Sequence, residues 1–294
     1  ALPGILPPLS REEALEVTRI FSAIGQVPKG QSLITQRPVR TPHHTASPAA
    51  IIGGGTIPRP GEVSLAHHGV LFLDEFPEFP RTVLETLRQP IETGDVVVAR
   101  ANAHVKYPCK FMLVAAANPC RCGYMSDPAR ACARVPMCGE DYLGRISGPL
   151  MDRFDIRIEV PPVKITDLAQ APAGEPSEAI AQRIAAARQI QSERYKGHPD
   201  TRVNADIEGE VLEATCTTRP DAADLLHRAA DRYSLSARAY HRILRVARTI
   251  ADLAGEDQIA KPHIAEALGY RLSGEEQKTP AGQARPKPRA AATP

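Results

Sequence analysis

At 294 residues, 43% of them hydrophobic, the chain is long enough for about two domains with a sizeable core, and 4% aromatics with no tryptophan make that core mostly aliphatic. A net charge of +2 neither demands nor excludes a polyanionic partner. No apolar run approaches the roughly 20 residues of a membrane helix, so a membrane span is excluded and a cytoplasmic location is expected. The opening Ala1-Leu2-Pro3-Gly4 has neither an initiator Met nor a signal-peptide pattern and reads as a clipped start. Of six cysteines, four lie between Cys120 and Cys138. That clustering suggests a metal knuckle rather than a secreted disulfide framework.

Ser10-Arg11-Glu12-Glu13 is a capping box. Ala14, Val17 and Phe21 continue on one face, so a helix is expected from about Arg11 to Phe21. From Gly25 to Ala66 the chain is rich in Gly, Pro, His and Thr without a clear period, and a stretch so long is often functional. Val70-Leu71-Phe72-Leu73 reads as a buried strand ending in Asp74-Glu75. Pro80 opens a helix whose buried face is Val83, Leu87 and Ile91. Asp95 to Phe111 alternates as a hairpin, and Phe111 to Ala117 reads as a second buried strand ending at Asn118-Pro119. Prolines and small residues at 161–174 suggest a linker. From Ser177 to Leu272 the pattern is helical, with Ile180, Ile184 and Ala187 on one face and Ile243, Ala247 and Ile250 on another. The tail, with Lys278, Arg285, Lys287 and Arg289, has the composition of a disordered segment.

Two acids at the carboxyl end of a strand lie where open α/β sheets bind ligands. Phosphoryl transfer needs an acid there for Mg²⁺ and another group to orient water. Asp74 fits the first role and Glu75 the second; solvated acids are the plain alternative. Asn118, at the end of a neighbouring strand, could reach the γ-phosphate or the water, or be a turn residue before Pro119. Arg153, flanked by Asp152 and Asp155, is either a surface ion pair or an arginine finger. His43-His44 and His67-His68 are adjacent pairs whose side chains should diverge in extended backbone; they read as structural rather than as metal ligands.

Several longer stretches then carry a resemblance. Gly61 to Gly69 leading into the strand-acid motif, Arg40-Thr41-Pro42-His43-His44-Thr45, and Ser147-Gly148-Pro149 before Asp152-Arg153-Phe154-Asp155 resemble the magnesium-chelatase-like branch of AAA+ ATPases, of the ComM/YifB type. So do Leu235 to Leu244 and His263 to Leu268. The resemblance implies an AAA+ α/β core over 1–161, a linker over 162–176, a small all-α lid over 177–274, and a basic tail over 275–294. It implies Walker B at Asp74 and Glu75, sensor 1 at Asn118, an arginine finger at Arg153 and a sensor 2 arginine at Arg238. ATP and Mg²⁺ would be the ligands, in a homo-oligomeric, hexameric ring. The 25–66 segment resembles a helix-2 insert and 95–110 a pre-sensor-1 hairpin. Both project into the pore of related ring helicases, which makes Arg59, Arg100, Asn102 and Lys106 candidates for DNA contact.

The chain departs from that pattern at one point. No Gly-x-x-x-x-Gly-Lys-Ser/Thr occurs in it, and the expectation is that the phosphate-binding loop lies just before residue 1. This segment by itself is therefore expected to be inactive. Cys120, Cys122, Cys132 and Cys138 could bind one Zn²⁺ tetrahedrally. Arg134 stands where a paired cysteine would be expected, so free reduced thiols remain the other reading. The family implies a DNA-acting motor in recombination during natural transformation. A chelatase subunit driving Mg²⁺ into a porphyrin and a MoxR-like protein-remodelling chaperone are the rivals.

Overall fold

Ser10 sets the first long helix. Its Oγ accepts the Glu13 N–H at 3.2 Å while Glu13 Oε2 accepts the Ser10 N–H at 2.9 Å, so two end donors of the helix are satisfied reciprocally. A short helix α1 (Leu2–Ile5) precedes it, and α2 itself runs Arg11–Ala23. Ala14, Val17 and Ile20 are buried; Phe21, expected on that face, is only half-buried.

The computed structural model describes residues 2–55, 57–100, 103–125, 130–161, 163, 174–198 and 201–272. They divide into two compact units: Ala1–Phe154 with Pro162–Asp206 and Asp252–Gly255, and Asp155–Pro161 with Ile207–Ala251 and Glu256–Pro294. The tail at 275–294 and most of the 162–176 linker fall outside the described residues.

In the first unit the Gly- and Pro-rich stretch folds into short elements: β1 (Val39–Arg40), α3 (Pro48–Ile52), β2 (Gly53–Gly54), β3 (Arg59–Pro60) and α4 (Glu62–Leu65). Ser47 caps α3 through the Ala50 N–H, and Pro48 takes its first position. Gly53 has φ +114°, and a Cβ there would lie 2.5 Å from the Arg59 carbonyl oxygen, so only glycine lets β2 and β3 pair. Ile51 and Val63 anchor the stretch in the core.

Then come β4 (Val70–Leu73), α5 (Arg81–Thr86), α6 (Arg88–Thr93), β5 (Asp95–Arg100), β6 (Ala103–Pro108), β7 (Met112–Ala115), α7 (Met137–Leu143) and α8 (Gly148–Met151). The single helix expected after Pro80 is broken at Leu87. Pro90 cannot donate to the Thr86 carbonyl and its ring crowds it, which ends the first segment there. The sheet order is β1-β4-β7, all parallel, with Leu71 beside Leu113 and Leu73 beside Ala115. Leu71, Leu73, Phe76, Leu84, Leu87 and Leu150 form the centre of the core, each worth about 1.5–3 kcal/mol in transfer terms. β4 is buried as its apolar run predicts. β7 is not: Met112 is exposed and the rest half-buried, because β4 is its sole partner among the described strands.

The helical region does not keep together as one block. Helix α9 (Ser177–Arg194) belongs with the first unit and packs against α1. Arg194 Nη1 donates to Asp252 Oδ2 at 2.9 Å, and Asn204 Nδ2 donates to the same oxygen at 2.8 Å. The second unit holds α10 (Gly209–Thr215), α11 (Pro220–Arg232), most of α12 (Ala237–Ala254) and α13 (Lys261–Leu272). On α12, Ala239, Ile243, Ala247 and Ala251 recur at helical spacing and are buried. Arg248 is fully buried on the same helix and donates to the Glu256 and Asp257 carbonyls, which satisfies a charge that burial would otherwise penalise. No described helix is long and apolar enough to cross a membrane.

Candidate nucleotide and nucleic-acid sites

The parallel register carries the ends of β4 and β7 to one edge of the sheet. The ladder continues past both strands: the Ala116 N–H donates to the Leu73 carbonyl at 3.0 Å, and the Phe76 N–H donates to the Ala116 carbonyl at 2.9 Å. Asp74 and Glu75 are thereby pinned between two ladder bonds, and Asn118 lies two residues beyond Ala116. All three side chains are exposed. Glu75 adopts φ +51°, a left-handed conformation that costs a residue with a Cβ about 1 kcal/mol. Its N–H donates to Asp74 Oδ1 at 2.9 Å. Buried Phe76 fixes the loop from the next position. Such strain gathers where function needs a set geometry. Two exposed carboxylates at a strand end are hard oxygen donors that fit Mg²⁺.

Near Glu75 lies a residue that residue pattern reads as structural. His44 Nδ1 is 3.0 Å from Glu75 Oε2. The signal available was position: His44 lies just beyond β1, which pairs with the strand that delivers Glu75.

Arg153 does not face outward. It is buried, donates to the Pro149 carbonyl at 2.6 Å and pairs with Glu92 at the end of α6. Phe154 next to it meets Phe76 edge-on, with centroids 5.6 Å apart. Arg238 is exposed in the first turn of α12, in the second unit.

The glycine-rich turn and the β5–β6 hairpin are joined. Tyr107 Oη donates to the Pro58 carbonyl at 3.0 Å, and a Cβ on Gly53 would lie 3.0 Å from a Val98 methyl. Arg59 and Ile57 are exposed on the turn. Lys106 is exposed but pairs with Asp95 at 2.7 Å. Arg100 closes the hairpin register opposite Ala103, and Asn102 lies outside the described residues.

Three of the four clustered cysteines come together. Cys120 Sγ, buried, is 3.2 Å from Cys122 Sγ, and with Cys138 all three sulfurs lie within 4.8 Å of one another. Cys132 is not within that trio but neighbours Cys122 and Cys138. The Tyr124 backbone N–H and the Cys120 thiol draw Cys122 down to about 7, towards the thiolate that metals bind. Cys132 beside it, together with burial, pushes Cys138 up to about 11. Arg134 is occupied with Asp141.

The histidine side chains, expected to diverge, instead stack. The His67 and His68 centroids are 3.9 Å apart, and those of His43 and His44 are 4.1 Å apart. His68 has φ +54°, which turns both rings to the same side, where each meets Glu16 Oε2, at 2.9 Å from His67 and 2.7 Å from His68. The trio has metal-ligand spacing, yet its hydrogen bonds argue against an ion. The Lys110 N–H donates to His67 Nδ1 at 3.0 Å, so the His67 proton sits on Nε2 and points at Glu16. Neither ring nitrogen of His67 keeps a lone pair for a cation. Burial, then the neighbouring His68, pushes His67 down to about 4. Burial raises Glu16, but hydrogen bonds from His67 and His68, with nearby Arg202, outweigh it and hold the carboxyl down to about 2.

A parallel sheet with paired acids and an amide at one edge, followed by helices, is the AAA+ type of core, and the chain belongs to the magnesium-chelatase family. Residues 1–168 match "Magnesium chelatase, subunit ChlI" and residues 174–271 match its C-terminal part. The chain is 45% identical over 271 residues to competence protein ComM of Haemophilus influenzae, which covers 92% of this chain and 52% of that protein. It is 45% identical over the same length to YifB of Salmonella typhimurium, and 43% identical over 270 residues to YifB of Escherichia coli, again covering 52% of each relative. The chain thus spans about half the length of these relatives.

Proposed function

We propose that this chain is the motor part of an ATPase that acts on DNA, as a ring of identical subunits, in recombination during natural transformation; one relative is named a competence protein. The observation that carries the reading is the tie between the glycine-rich turn and the hairpin, Tyr107 to Pro58, which makes one unit of two segments carrying exposed Arg59 and Lys106. Small residues there let backbone approach phosphate. In the same unit, Asp74 would hold Mg²⁺, which neutralises charge on the phosphates when bound. Glu75 would take the proton of the attacking water as the bond from the γ-phosphorus to the diphosphate oxygen breaks. Asn118 would donate to a γ-phosphate oxygen. Arg153 would serve a neighbouring subunit only after leaving Glu92, and Arg238 would complete the nucleotide site from the helical lid. No Gly-x-x-x-x-Gly-Lys-Ser/Thr occurs in residues 1–294, so this segment alone should not turn over ATP. The cysteine trio, with Cys132 closing in, would hold one structural Zn²⁺.

The test is DNA-stimulated hydrolysis by the full-length protein. Turnover should rise with forked or duplex DNA at low salt. Arg100→Ala with Lys106→Ala should leave basal hydrolysis standing and shallow the salt dependence of binding, by a slope of about 0.9 for each phosphate no longer neutralised. An ATPase indifferent to DNA would end the DNA reading and favour the chelatase or the chaperone. Elemental analysis of protein purified without chelator should find one zinc per chain, absent from Cys120→Ser.

A further inference from the structure

We propose that Glu92 is a latch that holds Arg153 back from a neighbouring subunit's nucleotide, and that DNA on the β5–β6 hairpin releases it. This rests on the reading of Arg153 as an arginine finger and of the hairpin as a DNA contact. An arginine that acts in trans has to reach beyond its own subunit, yet only 6% of this side chain is exposed. Its Nη1 donates to the Pro149 carbonyl at 2.6 Å and its Nη2 donates to Glu92 Oε2. The carbonyl belongs to the same turn of chain and moves with Arg153. Glu92 is 61 residues away on another helix, so it is the contact that can open. A charge-assisted hydrogen bond is roughly twice as strong as a neutral one, which keeps the inward arrangement the major state.

Glu92 is placed to feel the hairpin. It lies in the last turn of α6, which Gly94 closes at φ +68° with its N–H on the Pro90 carbonyl at 3.0 Å. β5 starts at the next residue, Asp95. The Cys109 N–H donates to the Gly94 carbonyl at 2.8 Å, and Thr93 Oγ1 donates to the Asp95 carbonyl at 3.0 Å. The root of the hairpin and the end of α6 are thereby bonded as one piece. Lys106, one of the candidate DNA contacts, pairs across the hairpin with Asp95, three residues along the chain from Glu92. A phosphate that takes Lys106 from Asp95 therefore acts on the segment that carries the latch. On the other side, Phe154 meets Phe76 edge-on, and Phe76 follows Glu75. Arg153 thus lies between the hairpin root and the acid loop of its own subunit, while the phosphate it would serve belongs to the neighbour.

The experiment uses the full-length protein. Glu92→Gln keeps a hydrogen bond to the guanidinium but removes the charge. Turnover without DNA should rise about 10-fold, the scale of promoting a state otherwise populated at a few per cent. The ratio of DNA-stimulated to DNA-free turnover should fall towards one, with DNA affinity unchanged. Glu92→Asp, whose carboxylate is one methylene shorter, should lie between Glu92→Gln and the parent. Adding Arg153→Ala should erase the gain, so that the double variant turns over no faster than Arg153→Ala alone. A merely structural role for Glu92 would lower Tm and turnover together and leave the DNA ratio as it was. The proposal is overturned if neither Glu92 variant raises DNA-free turnover, if the DNA ratio stays at the parent's value, or if the gain survives in the double variant. The finger reading is tested apart. Mixed rings of Arg153→Ala and Glu75→Gln subunits that regain no turnover would overturn it, whatever Glu92 does.

Discussion

The same dipeptide, His-His, is used in opposite ways at two places in the first unit. At His67-His68 both rings converge on one half-buried carboxylate, and every nitrogen of His67 is committed. At His43-His44 the rings stack at the surface, and one nitrogen faces the exposed acid at the end of β4. Composition cannot tell these pairs apart. The neighbouring elements can: His67-His68 ends a buried helix and enters a core strand, whereas His43-His44 leaves an edge strand for an open loop. A buried imidazole serves stability, and a half-buried one beside an exposed carboxylate can serve chemistry.

Substitutions test that division. His67→Ala should have the largest effect on folding, about 2–4 kcal/mol by chemical denaturation, because it strands both the Lys110 N–H and Glu16 in a part-buried site. A loss below about 1 kcal/mol would break the contrast. Acid should come next. His67 is held below its ordinary value, so its contribution is complete above about pH 6.5 and fades as pH falls towards 4. Glu16 is also depressed, and its contribution is present above about pH 4.5 and fades towards 2. Stability measured from pH 7 to 4 should therefore decline, and His67→Gln should flatten the upper part of that decline. Arg153→Ala should lose stability as well as turnover, since the guanidinium is buried on Glu92 and the Pro149 carbonyl; an unchanged Tm would argue against that inward role. His44→Ala should have the smallest effect on folding, within about 0.5 kcal/mol as for surface positions.

Much of this arrangement was legible from residue pattern. Leu71 and Leu73, followed by two acids, implied a core strand that delivers Asp74 and Glu75 to a sheet edge, and Ser10 with Glu13 implied the start of α2. What pattern did not reveal depended on backbone turns and on partners distant in sequence. The left-handed turn at His68 made two rings converge that alternation would separate. Pro90 split a helix whose apolar spacing ran through it. Arg153 found Glu92, 61 residues away, and no local spacing encodes that pair. Nor does local pattern show that α9 belongs with the first unit, because its apolar face matches any helical neighbour equally well.

The Tyr107 to Pro58 hydrogen bond has an evolutionary corollary. The turn and the hairpin are separated by β4 and three helices in sequence, yet they meet at a phenol and at a glycine with no room for a methyl group. Loops that face a variable partner usually drift in length independently. Here one added residue in either would pull the phenol off its carbonyl or drive Val98 into Gly53. Relatives should therefore vary these two segments in concert, with compensating changes in one whenever the other grows.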